Sequence, residues 1–361
     1  MVKTSLSSLE LAALVLELQF LVKGKISQIY HQEEELLWQL HVPGKGKLFL
    51  KIIPGKWLCL TDQKNPPLKP TSFCMQLRKY LDNAVITGLY QEESERIVMI
   101  ELEKKEKFFL IIEFFAKGNI VLADNEGMII AVLNQQMLKA RTVKPGEKYL
   151  FPRSPVNWKS LSEKELEDVL HHSDKKNLAV SLATDIGLGG RYAEEICARE
   201  GIDKNKKPSE TTKEEIKKML ATIVSFQREI ENHHGFIYDD QTTPFPLKGK
   251  TPLKETATYN EAIDLLQPFK KKSLYEKKIH LLKRRIEEQE EALKKLEENI
   301  IENKIKGEKM YEYYGKLQRL LEIVEELRKT KSWQEIEREL KKERNIKKVN
   351  LKEKTVLIAG P

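Results

Sequence analysis

The segment from Pro70 to Leu133 constrains the fold more than any other part of the chain. It begins with PTSFCMQLRKYL and continues with the apolar runs ERIVMIELE and FFLIIEFFAKGNIVLADNEGMIIAVL. Apolar spacing in the first stretch favours a helix over Phe73–Leu81, and short apolar runs separated by turn residues are typical of paired strands. The segment therefore predicts one helix followed by three or four strands of a largely antiparallel sheet.

The first 60 residues extend this pattern towards the N-terminus. Ser7 or Ser8 is placed to cap a helix whose apolar residues recur at helical spacing as far as Val22, and Gly24 is placed to end it. After Gly24 the apolar period changes to two, which indicates strands. These strands are expected over Ile26–Val42, Leu48–Ile53 and Trp57–Leu60.

The whole chain is predicted to be α+β and to consist of several segments. Prolines and shifts in composition mark the boundaries between them. The expected segments are an α+β domain over 1–153, a helical domain with a helix-hairpin-helix over 154–240, a linker with a possible short strand over 241–270, a coiled-coil helix over 271–344, and the start of a β-hairpin over 345–361.

Three glycines, Gly187, Gly189 and Gly190, lie between two helical patterns in LATDIGLGGRYAEEICAREGID. A glycine-rich hairpin exposes backbone N–H groups at the start of its second helix, which suits an anion. A closely packed helix corner requires the same glycines. The pattern leaves both interpretations open.

A heptad seam dominates the C-terminal part. Apolar residues step by three and four from Ile279 to Ile300 and resume with a phase change after Gly307. A long helix with an exposed apolar stripe needs a partner helix, and none of comparable length follows in the sequence. We therefore expect the chain to be a piece of a longer protein, with dimerisation through this helix as another possibility.

Charge and composition narrow the class of protein. The net charge is +8 and charged residues make up 33% of the chain, which favours a polyanionic partner. The three cysteines are scattered, as in proteins of a reducing compartment. Glu10 and Glu17 interrupt the apolar run near the N-terminus, so it predicts neither a signal peptide nor a membrane span. We expect a cytoplasmic protein without membrane association.

Motifs for catalysis are not found in the sequence. There is no HExxH, GxSxG or Walker A motif, and no GxGxxG follows a strand. The adjacent pairs His171-His172 and His233-His234 make poor chelates because neighbouring side chains point in different directions. We therefore predict that the chain is not an enzyme and uses no metal or cofactor.

Positive charge at defined places points to binding instead. Arg78 and Lys79 are expected on the solvent side of the helix that contains Leu77. Arg96 opens a strand that is apolar on both faces, and arginine on a rigid edge suits phosphate or base contact. Glu95 would orient it. A structural ion pair between Glu95 and Arg96 is the alternative.

With these residues in place, the chain resembles the NFACT family of ribosome quality-control factors, which includes proteins once labelled fibronectin-binding. The resemblance covers essentially the whole chain and is closest in style to archaeal members. The resemblance rests on the segments SLSSLELAALVLEL, PTSFCMQLRKYL, ERIVMIELE, IIEFFAKGNIVLADNEGMIIAVL, RTVKPGEKY and GLGGRYAEEICAREGID.

The resemblance implies an N-terminal domain similar to that of formamidopyrimidine-type DNA glycosylases. It also implies binding to large ribosomal subunits (through their rRNA) that still hold a nascent-chain peptidyl-tRNA. The family recruits a charged tRNA there for mRNA-independent tailing of the nascent chain, with alanine in prokaryotic members. The peptidyl-transfer chemistry would belong to the ribosome.

Site residues follow from the same resemblance. Glu10 and the pair Glu95-Arg96 match positions linked to tRNA handling, and both acids are glutamate where the family usually has aspartate. Contacts with the phosphate backbone are expected from Arg78, Lys79, Gly189, Gly190 and Arg191.

Two other classes of function compete with this one. The first is a DNA-binding or DNA-processing protein that uses the glycosylase-like domain and the hairpin. However, the chain begins Met1-Val2-Lys3 and lacks the N-terminal proline that serves those enzymes as nucleophile. The second is a coiled-coil adaptor whose basic residues are ordinary surface.

Overall fold

The computed structural model describes residues 5–62, 69–137, 141–152, 156–239, 241–266, 274–340, 346–350 and 355–358. The chain divides into two compact units, residues 1–270 and 271–361. The first unit contains a large sheet with helices, and the second contains helices and a β-hairpin. The predicted α+β class is confirmed.

The main sheet of the first unit has nine antiparallel strands in the order β4-β3-β2-β1-β5-β6-β7-β8-β9. Their bounds are β1 Lys25–Gln32, β2 Glu35–Val42, β3 Gly46–Ile53, β4 Trp57–Leu60, β5 Val85–Gln91, β6 Ile97–Glu103, β7 Lys107–Glu113, β8 Asn119–Asp124 and β9 Ile129–Val132. A two-stranded ribbon of β10 Gln136–Met137 and β11 Thr142–Val143 follows. The predicted antiparallel sheet is confirmed.

The strand count differs from the prediction in two places. Five strands of the sheet lie between Val85 and Leu133, where three or four were expected, because a turn before Ile129 separates β8 from β9. The run Ile26–Val42 is a hairpin and not one strand, since Glu33 takes a left-handed φ of 54° and reverses the chain. Apolar and polar residues alternate on both sides of such a turn, so the sequence pattern does not reveal it.

Seven α-helices accompany the sheet in the described part of the first unit. They are α1 Ser8–Glu17, α2 Ser72–Leu81, α3 Glu163–His171, α4 Leu178–Thr184, α5 Gly190–Glu200, α6 Lys213–Ile230 and α7 Tyr259–Leu266. Ser7 is the N-cap of α1 and forms a capping box with Glu10. The helix ends at Glu17 and not at Gly24, because a 3₁₀ turn over Leu18–Leu21 leads into β1.

The sheet bends around α1, which is buried on nearly every side. Beyond the regular ladders, the Gly55 N–H donates to the Glu113 carbonyl at 2.9 Å and so joins the β3–β4 turn to the end of β7. Four strands lie between β3 and β7 in the sheet order. Only a strongly curved sheet brings them together. Gly55 and Gly118 permit this contact, with φ of 74° and 71°.

One hydrophobic core extends from the sheet into the helices α3 to α7. The predicted domains 1–153 and 154–240 thus belong to one compact unit, and the boundary between them lies outside the described residues. Cys59, Cys74 and Cys197 are buried free thiols, as expected for a reducing compartment.

The segment predicted as a linker over 241–270 is ordered where it is described. It contains β13 Gln241–Thr243 and β14 Lys254–Thr256, which flank β12 Gly235–Tyr238, and α7 follows. Pro244 to Leu247 is not the strand suggested by PFPL. Instead, Phe245 stacks on Phe226 of α6 with ring centroids 4.7 Å apart. The polar composition suggested a linker, but the burial of single aromatic residues ordered the segment. Such burial gives no periodic signal in the sequence.

The second unit contains α8 Leu274–Glu312, α9 Tyr314–Arg328 and α10 Trp333–Leu340, followed by β15 Ile346–Asn350 and β16 Thr355–Ile358. The predicted hairpin is confirmed by the antiparallel pairing of β15 with β16. The predicted phase change of the apolar seam near Gly307 stays a prediction; α8 continues through Gly307, and the helix break is at Tyr313. Coiled-coil pairing and homodimerisation stay predictions.

No helix among the described residues is both long and apolar enough to cross a membrane.

Candidate nucleic-acid interface

A cleft of about 920 Å³ in the first unit brings together four of the eight predicted site residues. Its lining includes the start of α1, the turn that leads into β6, the end of α3 with the residues after it, and the hairpin between α4 and α5. Glu95 and Arg96 come from the turn, and Gly189 and Gly190 come from the hairpin. The structure thus brings together two predicted groups that are nearly a hundred residues apart in the sequence.

A hydrogen-bond network fixes the turn before β6 to the start of α1. The Ser8 hydroxyl donates to the Ser94 carbonyl and accepts from Trp158 Nε1 at 2.8 Å. Gln91 Nε2 donates to the carbonyls of Ser8 and Glu95 at 2.9 and 2.8 Å. Ser8, Gln91, Ser94 and Trp158 are all buried. The backbone that presents Arg96 is therefore rigid.

Arg96 lies half-buried in the cleft, immediately before β6. Among the described residues, none forms a hydrogen bond or an ion pair with its guanidinium, including Glu95. Burial lowers the pKa of Arg96 from its ordinary value, and the charge of Glu95 opposes this shift. The group remains charged at neutral pH because the ordinary value is so high. The predicted alternative, a structural ion pair, is not seen in this part of the chain.

The hairpin between α4 and α5 presents an open helix N-terminus to the cleft. Gly187 and Gly189 both have φ of 83°, a left-handed conformation that favours glycine. Gly189 is the N-cap of α5 and provides no side-chain cap. The first N–H groups of α5 therefore retain their hydrogen-bonding capacity, and the helix dipole adds positive potential there.

Arg191, the second residue of α5, is half-buried. Its Nη1 atom is buried without a hydrogen-bond partner among the described residues. Burial raises the pKa of Tyr192 and of Tyr259, and the positive charge of Arg191 opposes this rise. Arg191 thus lies behind the hairpin, near those two hydroxyl groups, and does not line the cleft.

Glu10 lies beneath the cleft and is only 1% exposed. Its carboxylate accepts a hydrogen bond from the Ser7 N–H at 2.7 Å and another from the Tyr192 hydroxyl at 2.7 Å. Burial first, and then Glu10, raises the pKa of Tyr192 well above its ordinary value. Glu10 therefore connects the N-terminus of α1 to α5, and its predicted part in tRNA handling stays a prediction.

Replacing Tyr192 with phenylalanine tests this connection. Loss of a hydrogen bond to a buried carboxylate is expected to lower the free energy of unfolding by about 1.5–3 kcal/mol. Tyr311, which is 85% exposed on α8, offers a matched control in Tyr311→Phe. Urea unfolding of both variants measures the difference. Equal stability of the two would contradict the role assigned to the hydroxyl.

His172, Asp174 and Asp185 also line the cleft. Burial alone would raise the pKa of Asp185, but hydrogen bonds from the Ser173 and Ser181 hydroxyls outweigh it and lower that pKa. Asp185 is therefore a carboxylate engaged within the protein. The cleft therefore combines basic and acidic groups, which would restrict how a phosphate chain can lie in it.

Arg78 and Lys79 do not line the cleft. The prediction that Arg78 projects into solvent is wrong, because its Nε donates to the Ile29 carbonyl at 2.9 Å and binds α2 to β1. Its guanidinium also lies 5.9 Å from the Tyr30 ring centroid. Lys79 is exposed as predicted, with Nζ 5.2 Å from the Tyr80 ring centroid. A phosphate contact by Arg78 that keeps these bonds would have to use Nη1, because Nε and Nη2 both donate to the Ile29 carbonyl.

Several residues of the site were not predicted from the sequence. Ser8 was considered only as a helix cap, and Gln91, Trp158 and Tyr192 were not considered at all. Their partners are between 83 and 182 residues away in the sequence, so no local spacing reveals them.

Comparisons with known proteins agree with this architecture. The family model described as NFACT N-terminal and middle domains matches residues 7–356. The chain therefore belongs to the NFACT family.

Among curated proteins, the chain is similar to the archaeal Rqc2 homolog aRqcH of Methanocaldococcus jannaschii. The two are 31% identical over an alignment of 366 positions, which covers 93% of this chain and 54% of that relative. Subunit 2 of the ribosome quality control complex of Saccharomyces cerevisiae is 30% identical over 41% of this chain and 14% of its own length. The chain thus spans about half the length of its archaeal relative.

Among solved structures, the N-terminal part of a fibronectin/fibrinogen-binding protein from Streptococcus suis has a similar fold. Its TM-score is 0.59 at 21% identity, and the match covers 74% of this chain and 100% of that one. The fibrinogen-binding protein of Staphylococcus aureus gives a TM-score of 0.59 at 19% identity, over 72% and 98% of the two chains. The predicted similarity to DNA glycosylases stays a prediction.

Proposed function

We propose that this chain is the RNA-binding part of a ribosome quality-control factor, and that its cleft binds tRNA on a large ribosomal subunit. The observation that supports this most strongly is Arg96. It is half-buried in the cleft on a rigid turn, and no described residue satisfies its guanidinium. A buried charge without a partner is costly, so a ligand with a phosphate or a base edge would stabilise it.

The other residues of the cleft take defined parts in this proposal. The N-terminus of α5 at Gly190 offers backbone N–H groups to a phosphate oxygen, since it has no side-chain cap. Glu95, beside Arg96, orients the arginine or accepts from an exocyclic amine of a base. Glu10 acts indirectly, because it is buried and holds α1 against α5.

Recruitment of tRNA and tailing of the nascent chain are proposed for the whole protein. A tRNA recruited to a subunit that still holds peptidyl-tRNA would allow tailing of the nascent chain without mRNA. The names of relatives refer to ribosome quality control, which supports this context. In this scheme the chain positions RNA and catalyses no reaction, since peptidyl transfer belongs to the ribosome.

Competition for labelled tRNA tests the ligand class. Unlabelled tRNA and large ribosomal subunits are expected to displace it, because both supply the RNA that the cleft would bind. A duplex DNA with an abasic site, of equal phosphate content, serves as the control and is expected to compete weakly. Stronger competition by the duplex, or cleavage of the duplex by this chain, would favour a DNA-binding or DNA-processing function instead.

A further inference from the structure

Four lysines and a histidine gather at one end of the main sheet. Lys25 of β1 lies opposite His41 of β2, and His41 lies opposite Lys47 of β3. Directly opposed residues share a face of the sheet with Cβ atoms about 5 Å apart. Lys23 precedes this row and Lys45 lies in the β2–β3 turn, and all five side chains are exposed. We call this surface the lysine edge.

Aromatic rings support two of these lysines without neutralising them. Lys45 Nζ is 4.2 Å from the centroid of the Phe20 ring, and Lys47 Nζ is 5.2 Å from the Phe49 centroid. A ring attracts an ammonium group but carries no net charge. The positive charges are therefore positioned and still available to an anion. Because lysines cover the two rings, the rings are poorly placed to stack on bases.

Three other lysines of this sheet and its turns form ion pairs with glutamates. These pairs are Lys51–Glu35 at 3.2 Å, Lys56–Glu34 at 2.6 Å and Lys107–Glu101 at 3.2 Å. At the lysine edge, no residue within the described ranges forms an ion pair with any of the four lysines. The unpaired charge at this end of the sheet therefore does not follow from the basic composition alone.

The lysine edge is separate from the cleft. Lys25 pairs with Val85, and Val85 pairs with Glu103 at the end of β6. Arg96 lies just before the other end of β6. A strand of seven residues spans roughly 23 Å at about 3.3 Å per residue. A ligand that contacts both places must therefore extend well beyond the cleft.

We infer that the lysine edge is a second RNA contact, which binds the phosphate backbone through charge and does not read bases. Its row of positive charge suits a chain of phosphates. The identification of the polyanion as RNA rests on the proposed function, whereas the unpaired charge does not. An RNA held in the cleft and continuing along the sheet would reach these lysines.

Neutralising the edge tests this inference. The triple variant Lys25→Gln/Lys45→Gln/Lys47→Gln is expected to lower the slope of log affinity for tRNA against log salt concentration by about 3, roughly 1 for each phosphate contact. The measurement is a salt titration of tRNA binding with the whole chain.

A charge-matched control uses three lysines that already have glutamate partners. Their side chains are 50% to 52% exposed, and they are Lys56, Lys204 and Lys218. Changing these three to glutamine removes the same net charge and is expected to change the slope by less than the edge variant does. Equal slopes for the two triple variants would overturn the inference.

Two further experiments distinguish this inference from its alternatives. Binding of the chain to phosphatidylserine vesicles that depends on the same lysines, with an unchanged tRNA slope, would assign the edge to a membrane surface and overturn the RNA contact. If Arg96→Ala leaves tRNA affinity unchanged while the edge variant lowers the slope, the cleft assignment fails and the edge assignment stands.

Discussion

Replacing Arg96 with alanine is expected to weaken tRNA binding by about 10- to 100-fold, which corresponds to the 1–3 kcal/mol typical of a charged hydrogen-bonded contact. The reason is that Arg96 is half-buried on a rigid turn and lacks a partner among the described residues. Arg96→Lys keeps the charge but loses the planar fork, so we expect an intermediate loss. Equilibrium binding to tRNA at fixed salt measures both.

The control for this experiment is Arg228, an exposed residue of α6 that does not line the cleft. Arg228→Ala removes the same charge and is expected to change affinity much less, because a distant exposed charge is screened by salt. Equal losses in Arg96→Ala and Arg228→Ala would mean that only net charge matters. The cleft would then no longer be the tRNA site.

Replacing Gly118 with alanine is expected to cost about 4 kcal/mol or more of the free energy of unfolding, a loss large enough to need a specific steric cause. A Cβ atom at Gly118 would lie 2.0 Å from the backbone nitrogen of Gly55. Both glycines lie at the contact between the β3–β4 turn and the β7–β8 turn, so neither backbone moves without opening the curved sheet. Urea unfolding of the whole chain measures the loss.

Gly146 separates the steric effect from the conformational one. Its φ is 87°, also left-handed, but a Cβ there would meet no atom within 4 Å. Gly146→Ala is therefore expected to cost only about 1–2 kcal/mol, the cost of a left-handed L-residue. If Gly118→Ala fails to yield folded protein while Gly146→Ala folds, the steric account is supported. Similar small losses in both would contradict it.

The sequence predicted the fold well where periodicity is local. The helix caps at Ser7, the strand at Trp57–Leu60 and the C-terminal hairpin all follow from spacing and turn residues within about ten positions. The order of the strands is also local, since nearly every strand pairs with its neighbour in sequence. Such features depend on few long-range contacts, so pattern is enough to predict them.

The errors in the predicted fold have a common physical origin. The turn at Glu33 preserves alternation, and the segment around Phe245 is polar in composition although its aromatic ring is buried. In each case tertiary packing or a single backbone dihedral decided the outcome, and neither has a sequence period.

For the candidate site too, features with a local sequence pattern were predicted, and features that depend on tertiary packing were not. Arg96 and the glycine hairpin were predicted as separate features, and the cleft that unites them required the fold. The prediction placed Arg78 in solvent because helical spacing gives the direction of its side chain. That spacing does not reveal the Ile29 carbonyl, which lies within reach of the guanidinium. The support beneath the site, through Ser8 and Trp158, spans 150 residues of sequence and has no local signal.

The last helix of the first unit has a consequence for how the chain can be divided. β4 is an outer strand of the sheet, and the Asn260 side chain of α7 accepts from the Leu60 N–H at 2.6 Å and donates to the Leu60 carbonyl at 3.4 Å. One side-chain amide thus imitates the backbone of an adjacent strand. A fragment that stops before α7 would leave β4 open to pairing with other chains and prone to aggregate. A fragment of this unit that keeps this contact therefore has to include α7.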